Sequence, residues 1–308
     1  MNYRSILAVT DLSATGDQAV QRAALLASNC RAELRLMYAP VSDQLDCPDY
    51  EVRLREQARK LSNGAVVSVK PVPRCAASTA DVAAEASSAD LLVTASRRES
   101  KVADFFRGQW HQRVMRQSLC PVLVTRSNGQ LPYKKIVVAV DFNESARQLV
   151  QLACALDDRA TIELFHAISR SDEAKLRSAD VPWEIVKAFR ARQEAHARRR
   201  LRELAQSVDA GDQAFTLSTG SGDAARQTSL YQQSSGADLI VVGIRRRSAA
   251  LELLCGTVSG NVFAQSSADL LIVPHDHQSS SRAAARLRIA AEQADGRSAF
   301  LSRRKTTL

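Results

Sequence analysis

The chain has 308 residues, of which 45% are hydrophobic and 24% charged, and its formal net charge is +9. This length is enough for two domains that each bury a core, and this composition excludes a largely disordered protein. No apolar run approaches the roughly 20 residues needed to cross a bilayer, and the N-terminal apolar segment is too short for a signal peptide. We therefore expect a cytoplasmic protein that does not bind membranes.

The positive charge is concentrated near the end of the sequence. Residues 277–308 contain seven Lys or Arg and two Asp or Glu, which gives this basic tail a net charge of +5 and leaves +4 for the rest of the chain. Overall basicity is therefore weak support for nucleic acid binding. The tail is compatible with disorder and with a helix that contacts nucleic acid, an anionic membrane or an acidic partner.

The first 125 residues alternate between short apolar runs and helical patterns. Pro71 and Pro73 are expected to end the third strand, and Ser78 to cap the helix that follows. This alternation predicts a mostly parallel sheet with helices on both faces. The predicted strands are residues 4–10, 32–38, 65–70, 91–95 and 121–124, and the predicted helices are 17–29, 50–61, 78–88 and one through 114–117.

After a turn-rich linker at 127–132 the same pattern begins again. A polar segment at 169–181 separates the second predicted strand of this half from a long helix. The predicted strands are residues 135–140, 161–166, 213–218, 239–242 and 270–273, and the predicted helices are 144–156, 183–208, 223–233 and one that begins at 256–257.

Residue offsets show that the two halves are repeats. Asp11 and Asp141 differ by 130 positions, whereas Gly108 and Gly256 differ by 148. The change in offset predicts an insertion of about 18 residues, which we place at 169–181 and in the longer helix after it. The chain is therefore interpreted as three parts: a first domain at 1–127, a second at 132–276 and the basic tail at 277–308.

The segment from Gly236 to Pro274 carries the main functional signal. A buried strand ends at Gly243, an arginine-rich loop follows, Gly256-Thr257 begins a helix, and a second strand closes the segment. This order is how α/β proteins present backbone N–H groups to phosphates.

On these features the chain resembles the universal stress protein family in tandem form. Nucleotide-binding members carry the pattern G-x-x-G, nine residues, then G-[S/T]. The second half keeps this spacing with Gly243, Arg246, Gly256 and Thr257, and the first half keeps it with Ala95, Arg98, Gly108 and Gln109. The resemblance implies two open parallel-sheet domains of the Rossmann-like, adenine nucleotide alpha hydrolase-like class, and a non-catalytic role in stress response.

The departures from that pattern bear on ligand binding. The first Gly of the motif permits a sharp turn, and the second lets the backbone approach the phosphates closely. In the second half Arg246 replaces this second Gly, so its side chain either fills the phosphate space or pairs with phosphate as a charged donor. The first half departs from the pattern at three of its four positions.

The resemblance also implies a set of binding residues for ATP or AMP. Asp11 and Asp141 would receive the adenine or ribose edge, although each could instead cap the following helix. Segments 38–39 and 166–167 would line the base pocket. The second-domain candidates are Asp141, Ala167, Gly243, Arg245, Arg246, Gly256, Thr257, Val258 and Ser259, and the degenerate first-domain set is Asp11, Ala39 and Gly108.

The partners implied by the resemblance begin within the chain. The two domains would pair about a pseudo-twofold axis through their last strands, 122–124 and 270–273, giving a monomer or a dimer of tandems that an unidentified protein recognises. The alternative is a nucleic-acid-associated protein that uses the tail and the basic helix segment 196–202. That segment also reads as a solvated face whose arginines pair with nearby Glu194 and Glu203.

No sequence pattern predicts catalysis or metal binding. The chain lacks the GxSxG, HExxH and Walker-type motifs, and His275-Asp276-His277 has no third ligand near it in sequence. The cysteines form no CxxC pair, so we expect mostly buried thiols. They are Cys30, Cys47, Cys75, Cys120, Cys154 and Cys255.

Overall fold

The computed structural model describes residues 3–40, 48–64, 67–96, 120–126, 131–244 and 268–274. Strands and helices alternate along the described chain, as predicted. In the first half they are β1 Ser5–Thr10, α1 Ala14–Cys30, β2 Glu33–Tyr38, α2 Tyr50–Gly64, β3 Val69–Pro71, α3 Thr79–Ser87, β4 Leu91–Ala95 and β5 Val122–Thr125. In the second half they are β6 Lys135–Ala139, α4 Ala146–Cys154, β7 Thr161–Ile168, α5 Ser171–Ser178, α6 Trp183–Ser207, β8 Phe215–Ser221, α7 Ala224–Ser235, β9 Leu239–Ile244 and β10 Asp269–Pro274.

These ten strands form one sheet in the order β3-β2-β1-β4-β5-β10-β9-β6-β7-β8. Each half has the same internal order, and all strand pairs within a half are parallel. The halves meet where β5 and β10 pair in antiparallel register, with Leu123 opposite Leu271. The predicted pairing of the two last strands is therefore confirmed, and it occurs within one chain.

The core is continuous across this junction. Continuous apolar runs produce strands that are buried on both faces, as parallel sheets require. Helices α1, α2, α4 and α6 cover one face, where a single cluster of buried side chains runs from Leu34 and Ile6 through Leu123 and Leu271 to Ile162. Helices α3 and α7 lie on the other face. Both halves therefore share one hydrophobic layer.

Tyrosines at equivalent positions stabilise the junction on the α1 and α4 side. Tyr3 and Tyr133 are 130 positions apart, and each is 2% exposed. The Tyr3 hydroxyl donates to the carbonyl oxygen of Leu152 at 3.0 Å, whereas the Tyr133 ring lies 4.2 Å below the guanidinium of Arg22. Because 22 and 152 are themselves equivalent positions, the two contacts are related by the pseudo-twofold axis but differ in chemistry.

An ion pair completes this junction. Arg22 of α1 lies 3.3 Å from the carboxylate of Asp269 at the start of β10, and both side chains are buried. The Tyr133 hydroxyl also donates to Asp269, at 2.7 Å, and so does the backbone N–H of Arg126. Burial, and then the nearby Asp269 carboxylate, raise the pKa of Tyr133 well above its ordinary value, so it stays a hydrogen-bond donor.

The inserted segment contains a helix that the sequence did not predict. We expected 169–181 to be a polar connection, but Ser171–Ser178 forms α5. It lacks an apolar stripe, and its support is electrostatic: acidic residues occupy its first turn and basic residues its last, as the helix dipole favours. Its carboxylate Glu173 also accepts hydrogen bonds from Arg190 of α6.

Ser78 and Pro71 lie at two element ends that the sequence predicted in the first half. Ser78 is the N-cap of α3, where its hydroxyl and the Asp81 carboxylate form a reciprocal capping box. The prediction that Pro71 would end β3 was wrong by one residue, because Pro71 still pairs with Leu36. An edge strand tolerates Pro on its outer side, and β3 is the edge of this sheet.

Candidate functional site

Three candidate residues of the second half lie at the carboxyl ends of neighbouring strands. Strand β6 lies between β7 and β9 at the point where the chain order reverses, which is where open α/β sheets bind ligands. Asp141 follows β6, Ala167 is near the end of β7, and Gly243 is near the end of β9. Ala139 is level with both Phe165 and Val242, so these three positions end neighbouring strands at similar height.

The turns after β1 and β6 share an unusual backbone conformation. Leu12 has a φ of 59° and Phe142 a φ of 57°, and these residues are 130 positions apart. A bulky residue in the left-handed region is uncommon and costs conformational energy. Both copies therefore retain a strained turn directly beside the candidate crevice.

The two aspartates accept hydrogen bonds within these turns. Asp11 accepts from the backbone N–H of Ser13 at 3.1 Å and from its hydroxyl at 2.5 Å. Asp141 accepts from the backbone and side-chain nitrogens of Asn143 at 3.3 and 2.8 Å. Neither is an N-cap, because Ser13 caps α1 and Ser145 occupies that position at α4. The alternative that the two aspartates cap the following helices is therefore wrong.

The aspartates differ in accessibility. Asp11 is half-buried against the start of α1, where a Cβ added to Gly16 would lie 2.6 Å from its carboxylate oxygen. The equivalent position of the second half is Ala146, and Asp141 there is exposed. A ligand could thus reach Asp141 without disturbing a packed helix start.

An arginine from the helix after the second strand binds each strained turn. Arg53 of α2 donates to the carbonyl of Leu12 at 3.3 Å, and Arg200 of α6 donates to that of Phe142 at 3.2 Å. Sequence reasoning missed both arginines. A signal was available in the sequence. Each arginine lies on a helix that follows the second strand of its repeat, just as Leu12 and Phe142 each follow the first strand of theirs.

Aromatic rings form a wall beside each crevice. In the second half the rings of Phe142 and His166 lie 4.3 Å apart, and the Arg200 guanidinium lies 5.1 Å from the Phe142 ring centre. In the first half Tyr38 stacks on Tyr50 at 4.9 Å. Of the second-half wall the sequence predicted only His166 as a lining residue, so Phe142 and Arg200 are additions from the structure.

Comparison with known proteins identifies the family. The sequence model of the universal stress protein family matches residues 2–126 and 132–274. The chain belongs to the universal stress protein family. Two separate matches confirm the tandem form, and the sheet topology confirms the predicted α/β class with two repeated, mostly parallel halves.

One sequence relative agrees with this assignment, and two solved structures resemble the fold. A universal stress protein from Synechocystis is 28% identical over 156 residues, which cover 46% of this chain and 99% of that protein. A universal stress protein from Archaeoglobus fulgidus has a TM-score of 0.60 at 16% identity, over 88% of this chain and 96% of its own. A functionally unknown protein from Pseudomonas aeruginosa PAO1 has a TM-score of 0.61 at 19% identity, over 94% and 98%. The two structures share this fold.

Most positions of the universal stress motif lie outside the described residues. Gly243 is the motif residue of the second domain that the structure describes, and it pairs with Val273 in β10. The positions outside the described residues are Arg98, Gly108, Gln109, Arg245, Arg246, Gly256, Thr257, Val258 and Ser259, together with His275, His277 and the basic tail.

We expect His166 to make this universal stress fold less stable in mild acid. Its Nδ1 donates to the Val140 carbonyl at 2.7 Å, and burial lowers the pKa of the ring below 6.5. The unfolded chain therefore binds the proton first, so the contribution of His166 is complete above pH 6.5 and is lost as the pH falls through the lower folded pKa.

Urea denaturation at pH 7.0 and 5.5 checks this expectation. The free energy of unfolding should fall at the lower pH, and the fall should be smaller in His166→Asn, whose amide can still donate to Val140. An equal fall in both proteins would show that other groups cause it.

The long basic helix uses most of its arginines within the chain. Arg198 pairs with Glu194 at 2.7 Å, and Arg199 lies 3.8 Å from Glu203. Arg190 binds Glu173. These local pairs agree with the interpretation of α6 as a solvated face. The nucleic-acid alternative stays a prediction.

The described part of the chain contains no candidate metal cluster and no candidate membrane-spanning helix. No group of three or more His, Cys, Asp or Glu within it is placed to hold a metal ion. Its helices are all too short or too polar to cross a bilayer. Cys120 is buried, and Cys30, Cys75 and Cys154 are half-buried, so the expectation of mostly buried thiols is wrong for the described residues. Desolvation raises the pKa of Cys30 and of Cys154 to about 11, which keeps these two thiols protonated and weakly nucleophilic at neutral pH.

Proposed function

We propose that this protein is a non-catalytic, cytoplasmic stress-response protein whose second domain, residues 132–276, binds an adenine nucleotide, ATP or AMP. The observation that carries the proposal is the convergence of Asp141, Ala167 and Gly243 on neighbouring strand ends at the switch point. The adenine or ribose edge would meet the exposed Asp141 carboxylate. The phosphates would extend past Gly243 toward Gly256 and Thr257, by the spacing of the family motif.

Differences between the two copies favour the second domain over the first. Gly243 permits a sharp turn at the strand end where the first domain has Ala95, and Thr257 offers a hydroxyl where the first has Gln109. Asp141 is exposed, whereas Asp11 is half-buried against the start of α1. We therefore assign the nucleotide to the second domain and a structural role to the first.

Isothermal titration with ATP and with AMP tests the site. We expect one nucleotide per chain with a Kd on the order of micromolar. Gly256→Trp should abolish binding, because the indole occupies the space that the phosphates need. The matched control is Gly108→Trp, the same change at the equivalent position of the first domain, which should leave binding unchanged.

Two results would contradict this proposal. Absence of binding heat with both nucleotides at high protein concentration would leave the second domain without the proposed ligand. Binding that is lost in Gly108→Trp but kept in Gly256→Trp would move the site to the first domain.

We expect the bound nucleotide to remain intact. In the described part of the crevice the polar groups beside the strand ends are already engaged: Asp141 binds Asn143, and His166 binds the Val140 carbonyl. Neither is positioned to activate water by any contact that the structure shows. A steady-state assay should find ATP turnover equal to a no-protein control, and turnover that falls in Asp141→Ala would show a hydrolase.

The conformation with nucleotide bound would instead be recognised by a protein partner.

A further inference from the structure

The insertion in the second domain borders a partly open cavity of about 170 Å³. Its walls come from the ends of β7 and β8 and from the helices α5 and α6. None of its lining residues belongs to β6 or β9 and none is a candidate nucleotide-binding residue, although Ile168 directly follows Ala167 of the proposed nucleotide crevice. Helix α5 has no counterpart in the described part of the first domain, and the cavity is therefore a feature of the insertion.

Arg170 gives this cavity an available positive charge. Its Nε donates to the hydroxyl of Ser221 at 2.9 Å, which fixes the guanidinium at the cavity wall. Within the described chain its two terminal nitrogens make no hydrogen bond and no close ion pair, although its charge acts together with Arg190 and Arg177 to lower the pKa of Glu173. The guanidinium therefore presents free N–H donors to anything bound there.

The other charges at the cavity largely neutralise one another. Glu173 accepts two hydrogen bonds from Arg190 and also lies 2.9 Å from Arg177, so its charge is already compensated. Glu194 is paired with Arg198 at 2.7 Å. The two arginines and two glutamates of the lining balance one another, and the nearby Arg177 and Arg198 give the surroundings of the cavity a positive balance that favours an anionic group.

Size and polarity restrict the ligand further. Ile168 and Phe189 contribute apolar surface, while the side chains of Gln193 and Thr219 make no hydrogen bond to any described residue. The cavity is smaller than the roughly 300–1,000 Å³ of pockets that enclose drug-sized ligands. It therefore suits a compact molecule with a short apolar body and one or two polar groups.

We propose that this cavity binds a small organic carboxylate. The carboxylate pairs with the terminal nitrogens of Arg170, whose planar fork matches two carboxylate oxygens. The apolar body lies against Ile168 and Phe189, and a hydroxyl or amide substituent bonds Gln193 or Thr219. Such a ligand would hold α5 and α6 against the sheet, because it contacts all of these elements.

An NMR titration of the full chain tests this site, with 2-hydroxybutyrate as the probe and 2-hydroxybutyramide as its neutral counterpart. The backbone N–H signals of Gly220 and Ser221 should shift in a saturable way with the carboxylate, with a Kd on the order of millimolar. The amide should give no saturable shift. Arg170→Gln should weaken carboxylate binding at least about tenfold, since it removes the charged half of the pair.

Lys175→Gln is the matched control. Lys175 lies on the same helix and pairs with Asp172, and neither residue lines the cavity, so this variant should bind the probe as the wild type does. Binding should also persist in Gly256→Trp, which separates this site from the nucleotide proposal. Equal binding of the carboxylate and the amide, equal binding of inorganic phosphate, or no saturable shift at all would overturn the proposal.

Discussion

Replacing Asp269 by Ala should lower the free energy of unfolding by about 3–5 kcal/mol, because the buried guanidinium of Arg22 loses its carboxylate. Arg22 is 4% exposed and Asp269 0% exposed, so water cannot replace the lost partner without opening the junction. Tyr133 and the backbone of Arg126 also lose their acceptor. Urea denaturation followed by far-UV circular dichroism measures the change.

Two controls separate the ion pair from general damage at this position. The exposed pair Arg55–Glu51 has the same chemistry on α2, and Glu51→Ala should cost at most about 1 kcal/mol. The double variant Arg22→Met with Asp269→Leu removes both charges together and should recover much of the lost stability. If Asp269→Ala cost no more than Glu51→Ala, the junction would not depend on this pair.

This ion pair also shows how the two universal stress domains have diverged. Position 22 of the first domain corresponds to Leu152 of the second, so the Arg22 contact has no mirror image across the pseudo-twofold axis. The asymmetry is possible because both domains belong to one chain. A symmetric pairing of two single-domain chains would instead place two arginines at the junction. The tandem form therefore permits a chemically specific fit between first and second domain.

The sequence predicted the strands better than it predicted the connections. Buried parallel strands are continuous apolar runs, such as residues 91–95 and 239–242, and these are visible without any partner. The pairing of the last strands followed from family resemblance and is confirmed by the register of Leu123 and Leu271. Helix α5 was missed because the Glu173–Arg190 contact that supports it joins two separate helices, and local periodicity does not report such contacts.

At the candidate site, backbone positions were predictable and side-chain contacts were not. Strand ends placed Asp141, Ala167 and Gly243 at one edge because parallel strands end on the same side. The bond from Arg200 to the Phe142 carbonyl spans 58 positions, and no spacing rule connects them. The positive φ of Phe142 was equally hidden, because the residues that usually signal this conformation are Gly, Asn and Asp.

Phe165→Ala is expected to destabilise the protein by about 3–5 kcal/mol, the usual cost of removing a buried aromatic ring from a core. The Phe165 ring is 2% exposed and stacks on Tyr231 at 4.7 Å between the sheet and α7. Both domains share one sheet and one core layer, so they should still unfold in a single transition. In a Trp110→Phe background, which leaves Trp183 as the single tryptophan, fluorescence reports on the second domain and far-UV circular dichroism on both, and their urea curves should coincide.

A double-mutant cycle can test the contact between Phe165 and Gly220. A Cβ added at Gly220 would lie 2.7 Å from the ring carbon Cζ of Phe165, so Gly220→Ala alone should cost about 1–3 kcal/mol through overpacking. In the Phe165→Ala background the new methyl group enters space that the ring has left, and Gly220→Ala should then cost much less. The double-mutant cycle should therefore show a favourable coupling of about 1 kcal/mol or more. Strict additivity of the two free-energy changes would contradict this prediction. It would mean that β8 relaxes away from the Phe165 ring, so that the close approach does not set the cost of Gly220→Ala.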